Sequence, residues 1–365
     1  MDFSLGDDRR MLVDSLSRYL ADKFDFDARM AAIETEAGFS REVWTGLAEL
    51  GAIGALFGED LGGYGGTAFD IGAVFGELGR ALATGPFLGT LMAGKVLEAA
   101  GEADALADII AGETLITFAH DPAVGGDGAP APAAAAKKRD GEAWALTGAK
   151  GVVDYAAAVD RILVTAETDE GLSTFLLDRT ADGVEIRDYP LIDGGSAGEL
   201  VLTDAPAQLI GEAGAAGPVI DAALAAGLVA TAWEAVAVME VVRDATLEYL
   251  GTRKQFGMPI GNFQALRHRM TTVALEIEQA RSAAINAAAN LDRDAAARDR
   301  YASAAKHTIG VAGALTAEEA IQMHGGIGMT WELPLSHYAK RLTMLDHVLG
   351  DADEHLSRYM ALRAA

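Results

Sequence analysis

The twelve residues 222–233, AALAAGLVATAW, constrain the chain most, because no charge interrupts them between Asp221 and Glu234. On a helix, Leu224, Leu228, Val229, Trp233, Val236 and Met239 take up most of the circumference. A helix without a polar stripe cannot lie on a surface, so it must run through a bundle or an oligomer interface. Asp221 is placed to cap it. The run is shorter than the ~18 residues a membrane span needs, which leaves the bundle or the interface. Two more long helices are predicted, at 263–291 and 295–323, both alanine-rich and suited to close approach. With a last helix near the C-terminus they make a four-helix bundle over residues 212–365.

The rest divides by pattern. Residues 1–112 read as a helical domain. Leu12, Leu16, Tyr19 and Leu20 recur on one helical face, and Trp44, Leu47 and Leu50 form a second stripe ended by Gly51. Ser4, three residues ahead of Asp7, is placed to cap the first helix. Residues 113–211 change character. The Pro/Ala run 129–136, followed by Lys137-Lys138-Arg139, reads as an exposed excursion. Short β-type runs at 144–146, 161–166, 173–177, 184–186 and 200–203 then suggest a small antiparallel barrel or sandwich. The expected fold class is therefore α+β and mostly α: an N-terminal helical domain, a central small antiparallel β-domain and a C-terminal four-helix bundle.

Composition removes several chemistries. The chain has no cysteine, so disulfide scaffolds, thiolate metal sites and cysteine nucleophiles are out. Its net charge of −25 argues against nucleic acid as a partner, since phosphate binding needs a basic footprint. An anionic ligand would need a local island of cations, such as Arg253-Lys254 or Arg267-His268-Arg269. The opening residues carry acids and no basic stretch, so no signal peptide is expected and a cytoplasmic location is.

There is no HExxH, no GxSxG, no GxGxxG after a strand and no histidine cluster with metal-ligand spacing. The glycines of 62–66 (GGYGG) read either as a phosphate cradle or as a turn between helices, and no lysine or Ser/Thr pair completes a P-loop. Two segments stand out. Residues 253–264, RKQFGMPIGNFQ, can present a guanidinium and free backbone N–H groups to an anion, or simply connect two helices. Residues 322–332, QMHGGIGMTWE, hold adjacent glycines that admit a ligand close to the backbone, or simply stop a helix.

Together these segments resemble the C-terminal motifs of the flavin-dependent acyl-CoA dehydrogenases. The N-terminal LAELGAIG, GGYGG and FGELGRAL are similar to that family's first helical domain, and 146–150 and 159–164 to its β-domain. The resemblance implies FAD, with Arg253 at the pyrophosphate, Phe256 and Gly257 lining the same groove, Gln264 supporting it, and Gln322, Gly325 and Gly326 at the ADP part. It implies α,β-dehydrogenation of an acyl-CoA thioester, electrons passed to an electron-transfer flavoprotein, and an oligomer, because a neighbouring subunit completes the cofactor site. The reaction needs a carboxylate base whose pKa an apolar pocket raises.

The chain departs from the family pattern there. Counted from Gln322, the usual Glu-Gly pair falls on Leu349-Gly350, and the alternative base position falls near Gly227. Asp351 is the nearest candidate base, with a helix cap as its other reading. Asp346 and Asp353 are less well placed. The backbone N–H of Leu349 remains able to bind a thioester oxygen. The family's Thr-Glu-Pro-x-x-Gly-Ser-Asp run is replaced by the stretch 118–128, FAHDPAVGGDG, and its Trp-Ile-(Thr/Ser) segment by Val152-Val153-Asp154. The ending resembles that of small or partner subunits of heteromeric bacterial members. Three functions stay open at this point: a homo-oligomeric dehydrogenase using Asp351, a non-catalytic partner in a heterotetramer with a second dehydrogenase subunit, and a flavin oxidase or monooxygenase on the same fold.

Overall fold

The structure, a computed structural model, describes residues 6–124, 133–139 and 143–364. The Ser4 cap, residues 129–132 of the Pro/Ala run and the glycines of 125–128 lie outside the described residues. The chain forms two compact units that do not follow chain order. One holds residues up to 26, 68–83 and 225 onward; the other holds 27–67 and 84–224.

The first unit contains α1 (Asp7–Lys23), α4 (Ala68–Arg80), most of α7 (Gly217–Thr252), α8 (Gln264–Asn290), α9 (Ala295–His324), α10 (Pro334–His347) and α11 (Ala352–Ala364). Its core joins Val229, Val236 and Met239 of α7 to Ile277 and Ala284 of α8, Ala305 and Ile309 of α9, and Leu342 of α10. Small residues set the approach of α4 to α7: a Cβ on Gly79 would lie 2.8 Å from the Glu234 carbonyl oxygen. Two buried carboxylates of the bundle are paired with arginines, which offsets the cost of burying them. Glu234 holds Arg341 through two bonds of 2.6 and 2.9 Å, and the buried Glu240 accepts from both Arg80 and Arg281.

Two expectations about α7 are corrected. Asp221 does not cap it, because the helix already starts at Gly217. Pro218 suits a first turn, where its missing N–H costs no helical bond. The helix also runs on to Thr252, so by length and composition it is apolar enough to cross a membrane. Yet 83% of its most apolar window is buried inside the protein, as in the core helix of a bundle.

The second unit contains most of α2 (Phe26–Ile33), then α3 (Arg41–Glu49), α5 (Phe87–Ala100), α6 (Ala103–Ile110) and a sheet. The strands are β1 (Ile116–Ala119), β2 (Ala135–Lys138), β3 (Trp144–Asp154), β4 (Arg161–Thr168), β5 (Gly171–Asp178), β6 (Val184–Pro190) and β7 (Ser196–Ile210). Pairings β4–β2–β3–β7–β5 return to β4, so five strands close into a small barrel. β6 adds to β7 antiparallel, and β1 adds to β4 in parallel. Ala135 and Ala136, read as part of an exposed excursion, instead pair with Thr147 and Leu146 of β3. Backbone pairing and burial of Ala136 override the weak strand propensity of alanine there.

The glycines of 62–66 form a turn. Their N–H groups bond inward, Gly63 to Gly58, Gly65 to Phe57 and Gly66 to Ala55, which leaves no phosphate cradle.

Candidate functional site

The two motif segments meet at one end of the bundle. Leu250 of α7, Met270 of α8 and Met323 of α9 form one apolar cluster, with Ile260 and Leu266 packed against it. Beside it the Tyr249 ring stacks on buried His324 at 4.3 Å, and the Tyr249 hydroxyl donates to the His324 carbonyl at 3.3 Å. His324 Nδ1 lies 2.9 Å from the Ala320 carbonyl, and burial pushes its pKa down. This packing fixes the C-terminal ends of α7 and α9 and the start of α8 against one another. It thereby brings together Arg253, Phe256, Gly257, Gln264, Gln322, Gly325 and Gly326, residues separated by up to 73 positions.

All seven are exposed. Between α7 and α8, β8 (Lys254–Gln255) and β9 (Met258–Pro259) make a hairpin whose tip is Phe256-Gly257, both at positive φ. Phe256 is 88% exposed. Beneath the hairpin lies a cleft of about 370 Å³ lined by Leu247, Leu250, Pro259, Asn262, Arg267 and Met270. Arg253 makes no ion pair among the described residues. Gly325 has φ +68° and ψ −147°, a conformation essentially reserved for glycine. A Cβ on Gly257 or Gly326 would meet nothing within 4 Å, so the backbone is open to close approach. A free guanidinium, two exposed amides of Gln264 and Gln322, and bare glycine backbone are the donor set a diphosphate asks for. These residues fit the ADP part of FAD.

The expected base position is built differently. Leu349 and Gly350 both adopt left-handed backbone, at φ +60° and +93°. For a leucine that costs roughly 1–2 kcal/mol. The half-buried Leu349 side chain packs on the apolar cluster of Ala225, Leu228 and Ala302, so the position carries no ionisable group. Asp351 is exposed and caps α11, accepting from the Glu354 N–H at 2.8 Å. That backbone hydrogen bond is the main cause of a lowered carboxyl pKa, the opposite of what a base in an apolar pocket needs.

Sequence reasoning missed the groups around this turn. Lys306, fully buried on α9, donates to the carbonyls of Asp346, at 2.6 Å, and of Gly350. His355 Nε2 donates to the Leu349 carbonyl at 2.7 Å, and His307 Nδ1 to that of Ala352 at 2.9 Å. Burial pushes Lys306 down to about 8, against the pull of Asp346, Asp351 and Glu354. The one available signal was a lone lysine on the alanine-lined face of α9.

In the second unit, the stretch that replaces the family's usual run begins in β1. Phe118 and His120 stack with parallel rings. Buried Lys150 donates to the His120 carbonyl at 2.7 Å and to Thr165 Oγ1 at 2.9 Å, and Thr165 Oγ1 lies 3.1 Å from His120 Nδ1. Burial lowers the pKa of both groups, Lys150 to about 8. Val152, within the segment that replaces Trp-Ile-(Thr/Ser), is exposed at φ +49°.

Residues 217–360 match the model of the acyl-CoA dehydrogenase C-terminal domain, and residues 6–111 match that of the N-terminal domain. The acyl-CoA dehydrogenase IpdE2 of Mycobacterium tuberculosis is 30% identical over 358 residues, 96% of each chain. The solved ChsE4-ChsE5 complex from Mycobacterium tuberculosis matches with a TM-score of 0.91 at 26% identity, covering 100% of this chain and 99% of the other. A variant of the Tcur3481-Tcur3483 steroid ACAD matches with a TM-score of 0.89 at 27% identity, over 99% of both chains. With both cofactor-side motifs converging at one bundle end and family models matching both helical regions, this chain belongs to the acyl-CoA dehydrogenase family.

Proposed function

We propose that the chain is one subunit of a heteromeric, FAD-dependent acyl-CoA dehydrogenase acting on a steroid-derived or fatty acyl-CoA, with electrons leaving to an electron-transfer flavoprotein. The observation that carries this reading is the unequal state of the site. The ADP-side residues are complete and exposed, whereas the base position holds a leucine packed in an apolar cluster and Asp351 is committed to a helix cap. Two of the matching structures are named for pairs of components, which supports a two-subunit assembly, and one of them is named a steroid enzyme.

In this reading Arg253 forks onto the pyrophosphate, while Gln264 and Gln322 orient the ADP part. Gly325 and Gly326 let the chain come within hydrogen-bond distance of it. When bound, FAD supplies the acceptor for the hydride that leaves Cβ of the thioester. The carboxylate that takes the α-proton comes from the partner subunit. The exposed Phe256, Met258, Met329 and Trp331 rim the same bundle end and supply apolar area for that partner.

The test is to purify the chain alone and after co-expression with a second dehydrogenase subunit, then measure the visible spectrum and acyl-CoA oxidation. The chain alone should be colourless and inactive, and the assembly yellow and active. A chain that binds one FAD per copy and oxidises an acyl-CoA unaided would refute the reading.

A further inference from the structure

The cleft beneath the 254–259 hairpin is not used by the cofactor-side residues, since none of those seven lines it. Much of its lining is apolar and fixed. Leu250 of α7 and Met270 of α8 are buried together in one cluster, and Leu247 and Pro259 extend the apolar surface. An apolar cavity of about 150 Å³ holds a benzene ring, so about 370 Å³ takes roughly fifteen non-hydrogen atoms. FAD and acyl-CoA thioesters are several times too large.

Two polar side chains face this apolar lining, Arg267 and Asn262. Arg267 Nε donates to the Gly261 carbonyl at 2.8 Å, and one terminal nitrogen donates to Asn262 Oδ1 at 3.1 Å. These bonds orient the guanidinium, and its other terminal nitrogen has no partner among the described residues. With its oxygen taken by the arginine, Asn262 turns its NH₂ group the other way, as a second donor. No carboxylate lines the cleft. Gly261 makes the arrangement possible: a Cβ there would lie 2.9 Å from the Leu250 carbonyl oxygen, so only glycine lets this turn sit against α7.

An apolar lining suits a hydrocarbon, and an oriented guanidinium beside an amide suits a carboxylate. We propose that the cleft binds the anion of a medium-chain fatty acid. The tail lies on Leu247, Leu250, Pro259 and Met270, and the carboxylate on Arg267 and Asn262. Hydrolysis of an acyl thioester releases such an acid, so the ligand belongs to the chemistry around this family's substrates. The site lies within one chain and needs neither flavin nor a partner subunit.

Calorimetry on the full chain compares decanoate with decanamide, which keeps the tail and the shape but carries no charge. Decanoate should bind once per chain and at least about tenfold tighter, the worth of a charged hydrogen bond. Along the saturated acids, affinity should rise to about twelve carbons and then level off as the cleft fills. Arg267→Met should remove the preference for the acid over the amide. Leu247→Trp, at a position 49% exposed, should fold normally and weaken both ligands at least about tenfold by filling the cleft. Absence of a saturable site, equal affinities for acid and amide in the wild type, or a preference that survives Arg267→Met overturns the proposal. So does undiminished binding in Leu247→Trp, which decides the matter should Arg267→Met not fold. Binding to the chain alone that vanishes in the co-expressed assembly means that the partner fills the cleft, and it overturns the proposal too. Flavin content and acyl-CoA oxidation, which decide the partner-subunit reading, are separate measurements.

Discussion

Arg253 and Asp351 stand at opposite ends of the residue-scale argument. The Arg253 guanidinium is exposed and makes no ion pair among the described residues, so removing it should leave the fold intact. Arg253→Ala is expected to leave the melting temperature unchanged while weakening flavin retention by the assembly at least about tenfold, as loss of a bidentate charged contact does. Flavin fluorescence on dilution reads this directly. Asp351→Asn keeps a good cap, so activity of the assembly should stay near the wild-type level. A fall of about a hundredfold or more would instead make Asp351 a general base. The meeting of segments 253–264 and 322–332 at one bundle end was legible, because long helices of matched length on either side of the second connection return the chain to the same end. Lys306 was not. Its carbonyl partners lie 40 and 44 residues downstream, and nothing local in an alanine-rich helix announces them.

At the scale of elements, the long helices were readable because a single apolar period runs through each: 263–291 and 295–323 were expected, and Gln264–Asn290 and Ala295–His324 are present. Ends and short strands were harder. The start of α7 turned on Pro218 rather than on the more polar Asp221, and β2 forms by pairing with β3 and β4 rather than by its own propensity. The junction after α9 offers a clean pair of substitutions. Gly325→Ala forces a side chain into a glycine-only backbone conformation and should destabilise the chain by about 1–3 kcal/mol. Gly326→Ala meets open space and should leave the melting curve unmoved, yet it places a methyl where the ADP part is proposed to lie, so flavin retention should drop. If both variants melted like the wild type, the strain at Gly325 would be disproved.

For the molecule as a whole, acid should be the weak side. His120, His324 and His355 all have their pKa lowered, chiefly by burial. The unfolded chain takes up these protons near 6.5, before the folded one does, so stability present above that pH is lost as pH falls below it. Glu77, raised by burial, works in the opposite direction, because the folded chain binds its proton more readily than the unfolded one. The melting temperature is expected to be lower at pH 5.5 than at pH 7.5, and a higher value at pH 5.5 would contradict the assignment of neutral buried histidines. The three-part order of helix, strand and helix was legible, but the assignment of α1 and α4 to the same compact unit as the C-terminal helices was not. Their apolar faces, among them Leu16, Leu20, Ile71 and Val74, look in sequence like the core of a domain of their own. That interleaving has a consequence for how the chain is made. A ribosome releases α1 and α4 roughly 150 to 200 residues before the helices that complete their unit, at about 5–20 residues per second. For some ten seconds or more, two apolar faces wait without their final neighbours. Synthesis in the cell therefore has a window in which a holdase chaperone, or a pause in translation, decides the yield of folded protein.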